Sequence, residues 1–368
     1  MGIITPLHKE GPKSQPDNYR GICIMNSLLK LLCSILNERL YNYVLKKQII
    51  NKGQIGFLKN NRTTDHIFTL KSIINKYVYD KKSKLYACFI DFKKAFDSVN
   101  HKILFKKLEE IKVGGIFLDL LKDIYNKTRC ALKINKKLTQ FFNYEKGVIQ
   151  GNPISPLLFN IYINGIFDKL KNAKCDPVSL NGNEHINALM FADDLICLST
   201  TKEGLQRSLD ALYQYSNKCG LEVNMKKTKC ISFAKGTRKE IPKFTLNNED
   251  IELTNDYKYL GITINKKGNF TPTLTNLSNR ATRAIYAVYS KIDKKIISPH
   301  TQLKLFDHLI APILLYGSEI WAPYLNLNPD KWENNEIEKV HNQFMKRCLG
   351  VNRSTTNALV KGELGRYS

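Results

Sequence analysis

The stretch that decides the fold reads Leu85-Tyr86-Ala87-Cys88-Phe89-Ile90-Asp91. Six apolar, β-prone residues end abruptly in a carboxylate, and Leu104, Leu108 and Ile111 follow at helical spacing. We therefore predict a buried strand, a turn and then a helix, with Asp91 at the end of the strand. Taken alone, Asp91 could equally cap the following helix, which is the commoner use of such a residue.

A pair of acidic residues lies between two further apolar runs, Ala188–Ala192 and Leu195–Leu198. Only Asp193 and Asp194 separate the runs, which predicts a tight β-hairpin with both acids at its tip. Adjacent aspartates at a hairpin are by themselves ordinary turn residues. If this hairpin and the strand ending at Asp91 share one sheet, however, three carboxylates meet at its edge.

Three neighbouring carboxylates repel each other, and they stay ionised only if a strong positive charge lies among them. Mg²⁺ takes hard oxygen ligands and keeps room for substrate phosphates. Two such ions roughly 3.5–4 Å apart would activate an attacking hydroxyl and stabilise the leaving oxygen at phosphorus. The pattern therefore predicts a site for nucleotidyl transfer with two Mg²⁺ ions, for which Mn²⁺ could substitute.

The chain of 368 residues carries 57 Lys and Arg against 33 Asp and Glu, a net charge of +24 that is spread along its length. A basic surface is driven onto phosphates by the release of counterions, so the charge indicates a nucleic-acid partner. A lysine-biased proteome is the alternative explanation. The N-terminus lacks the pattern of a signal peptide, and the apolar run Leu309–Tyr316 is too short to cross a bilayer, so we expect neither secretion nor membrane insertion.

The nine cysteines contain no CxxC pair and no zinc-ligand spacing. We interpret them as small buried side chains in a reducing compartment.

The remaining pattern mixes helices and strands and indicates an α+β protein. Ser155 and Pro156 are typical of a helix start, with Ser as the N-cap. Strands are predicted around Cys230–Ala234 and Tyr257–Ile264, and helices from Asn269 to the end. An amphipathic helix is predicted to end at Gly220, and an earlier one has an apolar stripe of Leu28, Leu29, Leu32, Leu36 and Leu40.

Five segments, in this order, resemble the catalytic motifs of the reverse transcriptases of non-LTR (LINE-like) retrotransposons, which are RNA-directed DNA polymerases. They are Ala87–Val99, Gly147–Pro156, Phe191–Asp194, Gly220–Thr228 and Tyr257–Gly261. Four upstream segments resemble the fingers of the same family: Ile4–Lys9, Asn18–Ile22, Gln54–Phe57 and Arg62–Asp65. The family usually carries Pro where Gly21 stands, and Gly loosens the backbone beside Arg20.

The resemblance implies a right-hand polymerase with three parts. The fingers would occupy residues 1–84, and an α+β palm with an antiparallel sheet residues 85–268, with a fingers-side excursion around 125–150. A helical thumb with a C-terminal extension would occupy residues 269–368. Because the chain starts almost inside the fingers, we expect the fingers to lack an N-terminal part.

By resemblance, Asp91, Asp193 and Asp194 hold the two metal ions, and the backbone carbonyl of Phe92 adds a ligand. The same motif places the Phe96 ring where it excludes the ribose 2′-hydroxyl, because a flat apolar ring leaves that hydroxyl neither space nor a partner. Without the motif around it, Phe96 would be interpreted as ordinary core.

Four residues are predicted by resemblance to bind the nucleotide. Gln150 would contact the incoming nucleotide or the template base, and Gly151 would let the backbone approach closely. Lys9 and Arg20 would hold the triphosphate, since Arg binds phosphate oxygens in bidentate fashion.

Lys227 would protonate the departing pyrophosphate as a general acid, and Lys226 and Lys229 compete for this role. Basic residues that would suit a thumb gripping the nucleic-acid backbone are Arg280, Arg283, Lys291, Lys294 and Lys295. Charge on a helix is otherwise typical of a solvated face.

The predicted reaction is attack of a DNA primer 3′-hydroxyl on the α-phosphate of a dNTP, directed by an RNA template. The partners are therefore an RNA template, a DNA primer or target and dNTPs, without a membrane and with no prediction of oligomeric state. An intracellular protein is expected, and the resemblance alone implies a nuclear site of action, with assembly in the cytoplasm as a further option. Three alternatives stay open: an RNA-dependent RNA polymerase, a reverse transcriptase of the group II intron maturase type, and a degenerate or adopted copy that only binds RNA.

Overall fold

The computed structural model describes residues 1–180, 184–234, 241–292, 297–325 and 329–366. The strands are β1 (Gly2–His8), β2 (Tyr19–Met25), β3 (Leu85–Ile90), β4 (Arg129–Ile134), β5 (Lys137–Leu138), β6 (Phe142–Asn143), β7 (Val178–Ser179), β8 (His185–Ile186), β9 (Ala188–Phe191), β10 (Asp194–Ser199), β11 (Lys229–Phe233), β12 (Thr245–Leu246), β13 (Glu249–Asp250), β14 (Glu252–Leu253), β15 (Asp256–Tyr259) and β16 (Ile262–Asn265).

The helices are α1 (Ser27–Lys46), α2 (Thr63–Ile74), α3 (His101–Glu110), α4 (Gly115–Lys127), α5 (Ser155–Ile163), α6 (Ile166–Asn172), α7 (Lys202–Cys219), α8 (Thr271–Tyr289), α9 (Pro299–Leu305), α10 (Ala311–Leu314), α11 (Ser318–Trp321), α12 (Pro329–Glu333), α13 (Glu336–Leu349) and α14 (Asn357–Leu364). The chain divides into two compact units. The first comprises Met1–His66 and Ser72–Thr254, and the second comprises Ile67–Lys71 and Asn255–Ser368.

The sheet that carries the predicted acids has the strand order β14-β11-β3-β10-β9. Its β3, β9, β10 and β11 pair antiparallel, as predicted for the palm, while the short β14 pairs parallel with β11. All six residues of β3 are buried, which explains its continuous apolar run. The predicted strand ending at Asp91 is confirmed, and the helix after it is capped by Asn100, not by Asp91.

The predicted hairpin is present but shifted by one residue. Phe191 pairs with Asp194, so Asp194 begins β10 and the two-residue loop is formed by Ala192 and Asp193. The prediction that both acids form the loop is wrong because the ladder ends at Phe191, one residue before the first apolar run ends, and begins again at Asp194, one residue before the second run starts.

Two other sequence predictions are corrected by the structure, and a third is confirmed. Ser155 is the first residue of α5 and not its N-cap, which is Ile154 and makes no side-chain cap hydrogen bond. The predicted strand Tyr257–Ile264 is two strands, β15 and β16, because the chain turns between Tyr259 and Ile262. The helix with the apolar stripe is confirmed as α1, in which Leu36 and Leu40 are buried and Leu28 is exposed.

A second sheet in the first unit carries two of the predicted nucleotide-binding residues. Strands β1 and β2 form an antiparallel hairpin in which Leu7 pairs with Arg20, and β4 lies parallel to β1 on its other side. Lys9 follows β1 directly, and its backbone N–H donates to the carbonyl of Asn18 at 2.9 Å. Both Lys9 and Arg20 are exposed.

The second unit is mainly helical, in agreement with the helical pattern predicted beyond Asn269. Arg280, Arg283 and Lys291 are exposed. Lys294 and Lys295, which belong to the same predicted basic set, lie outside the described residues.

All nine cysteines are buried and free, as predicted. Among the helices in the described part of the chain, none combines the length and the apolar character needed to cross a membrane.

Candidate active site

The sheet register brings the predicted metal-binding acids to one edge. Leu195 of β10 pairs with Ile90 of β3, and continuing that register by one residue sets Asp194 opposite Asp91. Asp193 lies in the hairpin loop and directly precedes Asp194, the first residue of β10. Three acids that are up to 103 residues apart in sequence (193 minus 91 is 102, 194 minus 91 is 103) therefore lie near one another because two strands are neighbours.

The pKa values of the two hairpin acids report their crowding. Burial among protein atoms raises the pKa of Asp193, and the charge of Asp91 raises it further, while Lys9 and Arg20 act in the opposite direction. The pKa of Asp194 rises to about 6, first through burial and then through the charges of Asp193 and Asp91. Asp194 is still partly exposed to solvent. Its pKa is therefore raised by the protein atoms and the two acids around it without complete burial of its side chain.

Asp91 is held by the segment after α7. The side-chain amide of Asn224 donates to Asp91 Oδ2 at 3.0 Å, and the backbone N–H of Asn224 donates to the Asp91 carbonyl at 2.7 Å. The hydroxyl of Thr228 accepts from the Asp91 N–H at 3.3 Å. Sequence reasoning gave neither residue a role, although both belong to the fourth motif. The carboxylate of Asp91 is thus oriented by a neighbour on an adjacent segment.

The acids fit a divalent cation that is completed by substrate. Among the described residues, no group of three or more His, Cys, Asp or Glu side chains is arranged to hold a metal ion by itself. Mg²⁺ is commonly bound by one or two carboxylates together with water and substrate phosphates, so an all-protein cage is not required. Burial and mutual repulsion raise the pKa values of Asp193 and Asp194 although Lys9 and Arg20 act in the opposite direction, and a divalent cation would supply further positive charge. Phe92 is buried and bridges to Val223, and its carbonyl stays a predicted ligand.

Phe96 lies in a short helical turn after Asp91 and is half-buried between two other rings. It stacks on Phe159 of α5, with ring centroids 4.4 Å apart and planes at 14°. Phe57 meets it edge-on at 6.0 Å. Phe57 is 50% exposed and has a positive φ of 61°, which is rare for a bulky residue. Sequence reasoning did not single out Phe57 or Phe159.

The loop with Gln150 and Gly151 contacts Asp97 on one side and Cys23 of β2 on the other. The Gln150 side-chain amide donates to Asp97 Oδ1 at 2.8 Å, which fixes one end of the side chain. Its backbone carbonyl accepts from the N–H of Cys23 at 2.7 Å. Gly151 has φ of 117°, and a Cβ there would lie 2.3 Å from the Cys23 carbonyl oxygen. Glycine is therefore required by this protein's own backbone, while contact with a nucleotide stays a prediction.

Lys227 forms an ion pair with Glu10, with Nζ and Oε1 2.6 Å apart. Its hydrogen bond to Glu10 raises the pKa of Lys227, and both side chains are about half exposed or more. The competing Lys229 pairs with Glu252. Of these two lysines, only Lys227 pairs with a residue next to Lys9, because Glu10 directly follows Lys9 in the chain.

A comparison with protein families supplies the assignment. The model of the family described as reverse transcriptase (RNA-dependent DNA polymerase) matches residues 8–264, which is more than half of the chain. The chain belongs to the reverse transcriptase family. The match covers the five motifs from Ala87 to Gly261 and confirms the resemblance that they indicated.

Relatives of this reverse transcriptase come from non-LTR retrotransposons. The chain is 26% identical to the probable RNA-directed DNA polymerase from transposon BS of Drosophila melanogaster, over 97% of this chain and 39% of that protein. It is 30% identical to the Pol polyprotein of the type-1 retrotransposable element R2 of Nasonia vitripennis, over 72% of this chain and 26% of that protein. It is 26% identical to the RNA-directed DNA polymerase from mobile element jockey of D. melanogaster, over 87% of this chain and 35% of that protein. The reverse transcriptase chain therefore spans between about a quarter and two fifths of these relatives.

Solved structures confirm the predicted fold class. Telomerase from Candida albicans, in a complex with a fragment of telomeric RNA, covers the whole chain with a TM-score of 0.52 and 11% identity, over 65% of its own length. Telomerase from Candida tropicalis, in a similar complex, covers 99% of the chain with a TM-score of 0.50 and 14% identity, over 64% of its own length. At these identities the likeness shows the α+β, right-hand polymerase fold alone.

Proposed function

We propose that this reverse transcriptase chain is an RNA-directed DNA polymerase that extends a DNA primer on an RNA template with dNTPs. The observation that carries the proposal is the register between β3 and β10, which sets Asp91 opposite Asp194 beside the Asp193 loop. The named activities of its relatives support it. A nuclear site of action, where target DNA supplies the primer, and the division into fingers, palm and thumb belong to the same proposal.

Each site residue has a part in the proposed reaction. When bound, two divalent ions, Mg²⁺ in the first place, supply the charge that activates the primer hydroxyl and stabilises the leaving pyrophosphate. Asp91, Asp193 and Asp194 would hold these ions. Lys9 and Arg20, whose charges already act on Asp193, would bind the triphosphate.

The remaining residues select the nucleotide and complete proton transfer. The Phe96 ring, fixed on Phe159, would close the space for a 2′-hydroxyl. Gln150 donates to Asp97, which leaves its Oε1 to accept from a nucleotide or template base. Lys227 would protonate the pyrophosphate, because a lysine ammonium carries its proton at neutral pH, and the hydrogen bond to Glu10 raises its pKa further.

Primer extension tests the proposal directly. With poly(rA), oligo(dT), dTTP and Mg²⁺, we expect the wild-type chain to extend the primer and Asp193→Asn to extend none, while template binding is unchanged. Asp119→Asn on the exposed face of α4 is the matched control, because it removes one carboxylate away from the site. Unchanged turnover of Asp193→Asn would refute the metal-binding role.

The same assay separates the alternatives. A wild-type chain that binds the template without extending the primer would be an RNA-binding protein, as expected for a degenerate or adopted copy. Extension with ribonucleotides in place of deoxyribonucleotides would indicate an RNA-dependent RNA polymerase. A polymerase of the group II intron maturase type would extend the primer as well, so its separation depends on added intron RNA.

A further inference from the structure

We propose that Gln54 is a positioning residue that holds the hairpin carrying Asp193 and Asp194 in its working conformation. The inference rests on the proposed function, because it concerns the same acids. It rests on a contact that does not involve the acids themselves. The buried side-chain amide of Gln54 forms hydrogen bonds with the backbone of Ala192, the residue before Asp193.

Gln54 makes two hydrogen bonds to one residue of the loop. Its Nε2 donates to the Ala192 carbonyl at 3.0 Å, and its Oε1 accepts from the Ala192 N–H at 3.0 Å. The same Oε1 also accepts from the N–H of Gly56 at 2.9 Å. Gln54 is completely buried, so water cannot replace these bonds. A side chain with both a donor and an acceptor is needed here, and only Asn and Gln offer both on one amide.

The conformation that Gln54 holds is unfavourable for Ala192. Ala192 is the first residue of the two-residue loop and has φ of 59°. A turn of two residues with positive φ at its first position normally carries glycine there, because a Cβ crowds the backbone. The sequence has Ala instead, so the loop needs contacts outside itself to keep this conformation. The two bonds from Gln54 are such contacts.

The segment around Gln54 is built to reach the hairpin. Its backbone runs parallel to β9, where the Ile55 N–H donates to the Met190 carbonyl at 3.1 Å. A Cβ on Gly56 would lie 2.2 Å from the Ala192 nitrogen, so only glycine lets the two backbones approach this closely. The buried Asn160 of α5 donates to the Gly56 carbonyl at 2.7 Å. The segment around Gln54 is thus held by β9 and by α5, independently of its contact with Ala192.

Gln54 would affect the reaction by fixing the positions of the Asp193 and Asp194 carboxylates. A rotation at Ala192 changes the direction of the next residue, Asp193, and of Asp194 beyond it. The carboxylates that share metal ions must keep their separation, and groups that orient metal ligands typically contribute about 10–100-fold to metal affinity or activity. A residue that merely fills the core would affect stability instead, without a specific effect on metal dependence.

The test combines Gln54→Met with Ala192→Gly. Gln54→Met keeps a similar length but offers the Ala192 backbone neither donor nor acceptor, so we expect roughly 10–100-fold weaker Mn²⁺ binding with template, primer and a non-hydrolysable dTTP analogue present, measured by electron paramagnetic resonance, and a matching rise in the Mg²⁺ concentration needed for extension. Ala192→Gly makes positive φ inexpensive without help from Gln54, so the double variant should recover most of both losses. Gln48→Met, the same change at an exposed position, is the matched control.

The outcomes separate the two proposals. Gln54→Met with unchanged Mn²⁺ binding, or a double variant as impaired as Gln54→Met in a chain that melts normally, would overturn the positioning role. If the wild-type chain binds Mn²⁺ with template, primer and the dTTP analogue and Gln54→Met weakens that binding, but neither chain extends a primer, the positioning role stands and the proposed polymerase function fails. If the wild-type chain binds no Mn²⁺ even with these substrates present, both fail.

Discussion

The Phe96 ring owes its place to two other aromatic side chains. Stacking on Phe159 at 4.4 Å fixes the plane of the ring, and the edge of Phe57 restricts its movement. Ring pairs in these arrangements contribute roughly 0.5–1.5 kcal/mol beyond burial, enough to favour one rotamer. A ring this constrained can exclude an additional hydroxyl without rearrangement.

Replacing the ring should therefore admit ribonucleotides. We expect Phe96→Ala to lower the preference for dTTP over UTP by about 10²-fold, the scale on which an apolar pocket rejects a hydroxyl. The measurement is kcat/KM for each nucleotide in the poly(rA) assay. Phe159→Leu, which removes only the stacking partner, should give a smaller loss. A Phe96→Ala variant that still rejects UTP would mean that another residue guards the sugar.

The ion pair between Lys227 and Glu10 predicts a shift in the pH profile. A general acid works only while protonated, and the hydrogen bond to Glu10 raises the pKa of Lys227. Glu10→Gln should therefore move the alkaline limb of the single-turnover rate to lower pH. Glu38→Gln is the control, because it removes the ion-pair partner of Lys59, an exposed lysine with no proposed role. An unmoved limb in Glu10→Gln, together with a normal rate in Lys227→Ala, would assign the acid to another group.

At the scale of elements, α3 is tied to the loop that leads to Gln150. The ring of His101, at the start of α3, bonds through Nε2 to the carbonyl of Gly147 at 2.7 Å, which assigns the proton of the neutral ring to that nitrogen. Burial lowers the pKa of His101. Protonation adds a second proton to the His101 ring. As pH falls below about 6.5, the unfolded chain binds this second proton before the folded chain does, so the free energy of unfolding decreases.

His101→Phe should test this contact. The phenyl ring can keep the contacts with Tyr125 and Tyr144 but leaves the buried Gly147 carbonyl without a donor, so we expect a loss of about 1–3 kcal/mol at pH 7.5. The difference from wild type should shrink toward pH 5, because the variant has no histidine to protonate. Urea unfolding at both pH values measures it, with exposed His185→Gln as the control. A difference that grows on acidification would contradict the lowered pKa.

Elements with strong local signals were predictable, and their ends were less so. The end of α7 at Gly220 and the buried strand β3 follow from local sequence, and both were predicted correctly. The hairpin loop was displaced by one residue because pairing partners, not the apolar pattern, decide where a ladder stops. The turn between β15 and β16 was missed because Leu260 and Gly261 lie inside a continuous β-prone run.

At the scale of the whole molecule, net charge predicts how the chain binds its template. With +24 spread along the sequence, phosphate contacts should dominate affinity, and binding that covers about six phosphates of a single strand should weaken roughly 300-fold between about 50 and 200 mM salt. Fluorescence anisotropy with labelled poly(rA) measures this slope. Asp193→Asn should give the same slope as wild type, and binding that ignores salt would contradict the role of charge.

The sequence by itself determined the family, the order of the motifs and the identity of the acids, because residue type and spacing carry that information. Only the tertiary structure decided what orients them: Asn224 on Asp91, Asp97 on Gln150, Phe159 on Phe96, and Gln54 on the loop before Asp193. These partners are between 53 and 138 residues apart along the chain. Such contacts depend on which strands become neighbours, and that follows from packing the entire core rather than from any local pattern.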